Sequence, residues 1–105
     1  MNYFDVDTPA VLIDMAVTGS NIKNYQKYCD ENGLNLRPHI KTHKIPELAK
    51  LQLAAGAVGI TCQKVSEAEA MLSEGGIDDI LITYNIYGYS KLQRLLQLST
   101  RCNLS

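Results

Sequence analysis

Four short apolar stretches begin near residues 34, 58, 79 and 103, a period of roughly 24 residues that suits parallel strands joined by crossover helices and is too long for hairpins. The intervals between them carry helix signals. Asp14 can cap a helix over 15–32, with Ile22, Tyr25 and Cys29 at i, i+3 and i+7 and Gly33 as its stop. Gly19 inside that stretch lowers its helix propensity. Pro46 suits the first turn of a second helix, where a missing N–H costs nothing; Leu48, Leu51 and Ala55 form its buried stripe and Gly56 ends it. Ser66-Glu-Ala-Glu69 reads as a capping box opening a third helix that stops at Gly75-Gly76. Ser90 is placed to cap a fourth, with Leu92, Leu95, Leu96 and Ser99 on one face.

The strands themselves are expected at 34–43, 57–62 and 80–84, with Cys102-Asn-Leu-Ser105 starting another. A separate short strand, 10–14, follows the turn signal Thr8-Pro9. The strands are apolar throughout rather than alternating, as in sheets covered on both faces. An open doubly wound sheet and a (β/α)8 barrel both fit this α/β pattern. Three and a half units complete neither, so the chain reads as a fragment with the rest of its sheet missing. Such a piece alone would leave an open sheet edge and an exposed apolar face.

Composition narrows the function classes. With 46% hydrophobic and 20% charged residues, the chain has the balance of a soluble globular protein rather than a disordered one. A net charge of −1 gives no general attraction to nucleic acid or anionic membrane. The N-terminus has neither the basic region nor the apolar core of a signal peptide, and no apolar run approaches the ~20 residues of a membrane helix. Cys29, Cys62 and Cys102 are scattered and odd in number, which suggests thiols in a reducing compartment, the cytoplasm by default.

The densest group of reactive side chains is Arg37-Pro-His39-Ile-Lys41-Thr42-His43-Lys44. Residues two apart in a strand share a face, so His39, Lys41 and His43 are expected together, opposite Ile40, Thr42 and Lys44. A buried lysine is costly unless its charge is lost or it is used covalently, and a lysine beside imidazoles at a strand's C-terminal end suits Schiff-base chemistry. Three other readings stay open. The cluster can be a solvated basic loop. His39 and His43 have metal-ligand H-x-x-x-H spacing, but without the Glu of H-E-x-x-H and in a segment whose prolines disfavour helix. Arg37, Lys41, Lys44 and Lys50 can form a phosphate or nucleic-acid patch, though no aromatics interleave them. Gln63 and Ser66, at a strand end and helix start, and Tyr84-Asn85, at the next strand end, can reach a ligand above the sheet; there is no G-x-G-x-x-G or G-x-x-x-x-G-K.

Four runs together, Asp7-Thr-Pro-Ala-Val-Leu-Ile-Asp14, Leu36-Arg-Pro-His-Ile-Lys-Thr-His-Lys44, Gly59-Ile-Thr-Cys-Gln-Lys-Val-Ser-Glu-Ala-Glu69 and Asp78-Asp-Ile-Leu-Ile82, resemble the D-threonine aldolase / D-serine dehydratase family of alanine-racemase-like pyridoxal-phosphate enzymes. The resemblance covers about residues 5–98. It implies the first part of a (β/α)8 TIM-like barrel over 15–105, with 1–14 giving a strand to the C-terminal β domain that full-length relatives add. It implies pyridoxal 5'-phosphate as cofactor, held covalently by Lys41 with His39, Gln63 and Tyr84 around it and His43 as a further catalytic residue. It also implies a divalent metal, Mn or Zn, whose ligands lie outside this chain, a small D-amino acid substrate, and a homodimer when full length. The activity implied is a lyase on D-3-hydroxy amino acids: retro-aldol cleavage of D-threonine-type substrates first, D-serine-type dehydration second. A non-catalytic pyridoxal-phosphate-binding barrel, or an inactive truncated product, are the alternatives.

Overall fold

The computed structural model describes residues 2–105; Met1, the first residue of the expected 1–14 strand segment, lies outside them. Its first helix, α1 (Met15–Glu31), starts where Asp14 Oδ1 accepts from the backbone N–H groups of Ala16 (2.9 Å) and Val17 (3.0 Å), satisfying donors that the helix itself leaves free. Its buried positions are Gln26 and Cys29, while Tyr25 is 59% exposed. Of the expected stripe, Cys29 is buried and Ile22 half-buried, while Gln26 takes the place of Tyr25. The reason is a close approach: Gly56, at φ 123° just past the end of the next helix, leaves room for the Gln26 amide, whose Nε2 would lie 3.1 Å from any added Cβ. Gln26 Nε2 donates instead to Asp30 Oδ1, one turn on (2.8 Å).

Pro46 does open the second helix, α2 (Pro46–Ala54), as its fixed φ and absent N–H permit. Leu48 and Ala49 are buried there and Leu51 is largely exposed. The strands are β1 (Ile60–Cys62), β2 (Asp79–Ile82) and β3 (Asn103–Leu104), separated by α3 (Val65–Ser73) and α4 (Tyr89–Ser99). All pairings are parallel: Ile60 faces Ile80, Cys62 faces Ile82, and Ile80 faces Leu104. The segment before α2 joins the same sheet, with a parallel bridge from His39 to Thr61 and the Thr61 N–H donating to Pro38 O at 2.8 Å. Four parallel segments thus lie in chain order.

Two expected caps are displaced. α3 is capped two residues before Ser66, at Lys64, with no side-chain cap bond, so Ser66 sits inside the first turn and the residue three beyond the cap is Glu67. α4 begins after Gly88, φ 102°, and Ser90 likewise lies inside it. Its buried residue is Leu98; Leu92 and Leu96 are exposed. Residues 10–14 pair with no strand among the described residues, and Val11, Leu12 and Ile13 are exposed, Val11 by 94%.

The core is one cluster that includes Ile40, Ala49, Ile60, Cys62, Val65, Ala68, Met71, Ile80 and Leu98. Each fully buried Ile contributes about 1.5–3 kcal/mol over an exposed one. Burial pushes the Cys62 thiol up to about 12, with Glu67 and Cys102 adding to it, so it is a packing residue rather than a reactive one. The N-terminal edge of the sheet is clamped. Arg37 donates to Asp79 Oδ1, and Asn103 Nδ2 donates to Asp79 Oδ2 at 2.8 Å, joining three of the four segments through one carboxylate. The Arg37 side chain crosses Gly59, where an added Cβ would strike its guanidinium and lie 2.8 Å from Asp79 O. Gly59→Ala should therefore cost about 1–3 kcal/mol in a denaturant melt by breaking the clamp. The hydrogen bond from Arg37, then that from Asn103, holds the Asp79 carboxyl below the usual range. Its contribution is present above an ordinary aspartate pKa of about 3.9 and is lost as pH falls through the lowered value. Asp79→Asn should flatten that acid limb of the stability profile.

Candidate active site

Parallel strand pairing stops at His39 because Ile40 turns inward and is fully buried. The chain then makes a 3-10 turn over Ile40–Thr42 rather than continuing as a strand to residue 43. The backbone N–H groups of His43 and Lys44 both donate to Ile40 O, at 3.1 and 2.8 Å. A strand's two-residue alternation no longer applies, so His39, Lys41 and His43 do not share one face as the sequence suggested. Lys41 is exposed, not buried, at the C-terminal edge of the sheet.

His39 and Lys41 nevertheless stay connected. The Lys41 backbone N–H donates to His39 Nδ1 at 3.3 Å, and His39 Nε2 lies 3.2 Å from Gln63 Oε1 at the end of β1. An Nδ1 that accepts leaves the ring proton on Nε2, which then donates to Gln63. Gln63 is thereby oriented with its amide NH2 turned from His39. Lys44 adopts φ 56°, uncommon for a residue with a Cβ, and its Nζ is 3.5 Å from Glu67 Oε1. Lys41 makes no ion pair among the described residues. The two lysines of the motif are thus in different states: Lys44 is tied to the body of the protein and Lys41 is available.

His43 points the other way. Its Nδ1 accepts from the Ile45 N–H at 3.0 Å, at the start of α2. Burial lowers its pKa, opposed in part by Gln52 on α2 and by the Ile45 bond. Gln52 is near enough to exert that pull, yet His43 Nε2 and Gln52 Oε1 are both buried without a hydrogen bond; we read them as a donor and acceptor facing each other just beyond bonding geometry. The two imidazoles are separately engaged, so H-x-x-x-H does not form a ligand pair here. No three His, Cys, Asp or Glu side chains cluster as metal ligands among the described residues. Nor is any helix there long and apolar enough to cross a membrane.

Tyr84 and Ser66 lie elsewhere, with Lys64, Asn85, Lys91 and Arg94 around a cavity of about 140 Å³ at the C-terminal ends of β1 and β2. None of His39, Lys41 or Gln63 lines it. Arg94 is held there by both carboxylate oxygens of Glu69, the residue expected to complete a capping box. Glu67 was not singled out from the sequence. The signal for it was the Ser-Glu-Ala-Glu run itself, assigned two residues out of register.

No family model matches the chain. Known proteins do. Over 100 residues, 95% of this chain and 26% of the relative, it is 45% identical to a D-threonine aldolase from Arthrobacter sp.. The crystal structure of D-threonine aldolase from Filomicrobium marinum superposes with a TM-score of 0.90 at 43% identity, over 95% of this chain and 27% of that one. The match is to the N-terminal quarter of these aldolases and dehydratases. D-threo-3-hydroxyaspartate dehydratase from Delftia sp. HT23 matches with a TM-score of 0.85 and 40% identity, again over 95% of this chain and 26% of that one, and a variant of it has been solved in a metal-free form. The chain spans about a quarter of the length of these relatives. The family resemblance read from Leu36–Lys44 and Gly59–Glu69 is thus matched in both sequence and fold, and those two runs supply the His39–Gln63 contact and the Lys44–Glu67 pair.

The depressed His43 pKa has a measurable consequence. The unfolded imidazole titrates at about 6.5, so the stabilising contribution of neutral His43 is present above that value. It is lost as pH falls from there through the lower folded pKa. NMR titration should place His43 below 6.5, and His43→Gln should remove this part of the pH dependence of unfolding.

Proposed function

We propose that the intact protein is a pyridoxal-phosphate-dependent lyase acting on D-3-hydroxy amino acids, cleaving D-threonine-type substrates to glycine and an aldehyde. The observation that carries this reading is the contrast between the two motif lysines: an unpaired Lys41 at the C-terminal edge of a parallel sheet, and a Lys44 committed to Glu67. The 45% identity to a D-threonine aldolase supports the reaction class. The monotonic order of four parallel segments supports a (β/α)8 barrel, since a doubly wound sheet reverses its order at a switch point. The exposed, unpaired Val11, Leu12 and Ile13 suit a strand given to a second, β-rich domain.

The residues present fit such a cofactor: a primary amine without an ion-pair partner, and beside it a neutral imidazole and an oriented amide. Bound pyridoxal phosphate supplies an aldehyde that condenses with an amine with loss of one water, and a cationic ring that takes up the electron pair of a bond broken at the substrate α-carbon. Lys41 Nζ is the amine that would hold the cofactor. His39, with its proton on Nε2 and donated to Gln63, accepts from the Lys41 backbone N–H, and Gln63 presents its amide NH2 as a donor. His43 holds the start of α2 behind the turn. Tyr84 borders the neighbouring cavity, where Arg94 and Lys91 favour an anionic group. A divalent metal, Mn or Zn, would assist at the 3-hydroxyl from ligands outside this chain. Cys29, Cys62 and Cys102 are free thiols, compatible with the cytoplasm.

Dehydration is the second reading, favoured by the 40% identity to the Delftia dehydratase; there the α-proton is removed, with Lys41 Nζ as its acceptor, and the 3-hydroxyl leaves. One assay on the intact protein separates the two. D-threonine should give glycine and acetaldehyde, whereas a 2-oxo acid and ammonia as main products would establish dehydration. Borohydride reduction should fix the cofactor on Lys41, and Lys41→Ala should lower turnover by at least about a thousandfold. Fixation on Lys44, or on neither lysine, would sink the assignment.

A further inference from the structure

Glu67 is the one buried carboxylate among the described residues, at 6% exposure, and the chemistry above gives it no task. A buried carboxylate costs several kcal/mol unless its oxygens are paired. Both of them are. Oε2 accepts from the Gln63 backbone N–H at 2.7 Å and Oε1 faces Lys44 Nζ at 3.5 Å. These two partners flank the Lys41 turn. On one side, Gln63 accepts from the His39 ring, which in turn accepts from the Lys41 backbone. On the other, the Lys44 N–H closes the turn on Ile40 O from a left-handed conformation that costs about 1–3 kcal/mol for a residue with a Cβ. Lysine, unlike Asn or Asp, has no short polar side chain to stabilise that conformation locally. Since the Lys44 side chain is 57% exposed, its ion pair is worth at most about 1 kcal/mol as stability. Its consequence is geometric: Glu67 joins the two ends of the turn in one ring of contacts.

We propose that Glu67 is a positioning residue for Lys41, its carboxylate fixing Lys44 and Gln63 so that the Lys41 amine and the His39–Gln63 pair keep one relative geometry. This rests on Lys41 being the cofactor lysine. A plain helix-start role for Glu67 would need only the bond to Gln63 N, which the amide oxygen of Glu67→Gln can still accept, whereas the charge that holds Lys44 is gone.

The test uses the intact protein, with pyridoxal phosphate as the probe and borohydride labelling of Lys41 followed by peptide mass. Glu67→Gln should melt within about 3 °C of the parent. It should nevertheless label Lys41 roughly tenfold to a hundredfold more slowly, the scale of a reacting group misplaced by about 1 Å. Lys44→Met should match it, the double variant should be no worse than either single one, and Lys44→Arg should recover most of the rate. Parent-like labelling in Glu67→Gln, or no recovery in Lys44→Arg, overturns the proposal. A second readout needs no cofactor: the His39 ring nitrogens in the apo protein should report a fixed Nε2–H form in the parent and a mixture in Glu67→Ala. If the parent itself is not labelled at Lys41, the cofactor reading falls, and the ring signals alone decide the role of Glu67. Identical signals in parent and Glu67→Ala would then refute it.

Discussion

The burial of Ile40 is the constraint from which the site follows. Parallel pairing with β1 carries the chain to His39, and Ile40 then takes a fully buried place in the core with Ile60 and Ala49. Filling that position is worth about 1.5–3 kcal/mol, comparable with the strain of a left-handed Lys44. Two backbone hydrogen bonds to Ile40 O and the Lys44–Glu67 ion pair add to that burial in holding the turn. The tight turn that results exposes Lys41, sends His43 back toward α2, and stops Lys44 where a carboxylate waits.

Much of the fold was legible because it depends on local chemistry. Asp14 as N-cap, Pro46 in the first helical turn and the parallel spacing of the strands all stood in the sequence and recur in the structure. What misled were signals whose outcome depends on packing. Ser66 and Ser90 are good cap residues, yet each helix begins earlier: α3 where Glu67 can reach back to Gln63, and α4 at Gly88 with its positive φ. Tyr25 is more apolar than Gln26, yet the space beside Gly56 takes the amide. In each case the outcome differs by one or two residues, below what periodicity resolves.

The candidate site shows the same division. That Lys41 and Lys44 stand apart was readable, but strand alternation is not the reason the structure provides, and Lys41 is exposed rather than buried. Alternation assigns the lysines to opposite faces of a strand; the turn assigns them to opposite fates, one paired and one free. The connection between His39 and Gln63, 24 residues apart, lies in strand neighbourhood and was invisible to spacing within the motif.

Because the strands are parallel, the sheet has two chemically different ends, and the chain uses them differently. At the N-terminal end Arg37 and Asn103 each donate to Asp79 in a clamp over Gly59 that joins three of the four segments. At the C-terminal end the polar groups are paired on one side and open on the other: His39 and Gln63 hold each other, Glu67 holds Lys44, and Lys41 is left without an ion-pair partner. The clamp and the Lys41 turn lie on one continuous segment, with Arg37 four residues before Lys41. Loss of the clamp should therefore loosen the Lys41 turn as well, although Arg37 touches neither Lys41 nor Glu67 by any hydrogen bond or ion pair.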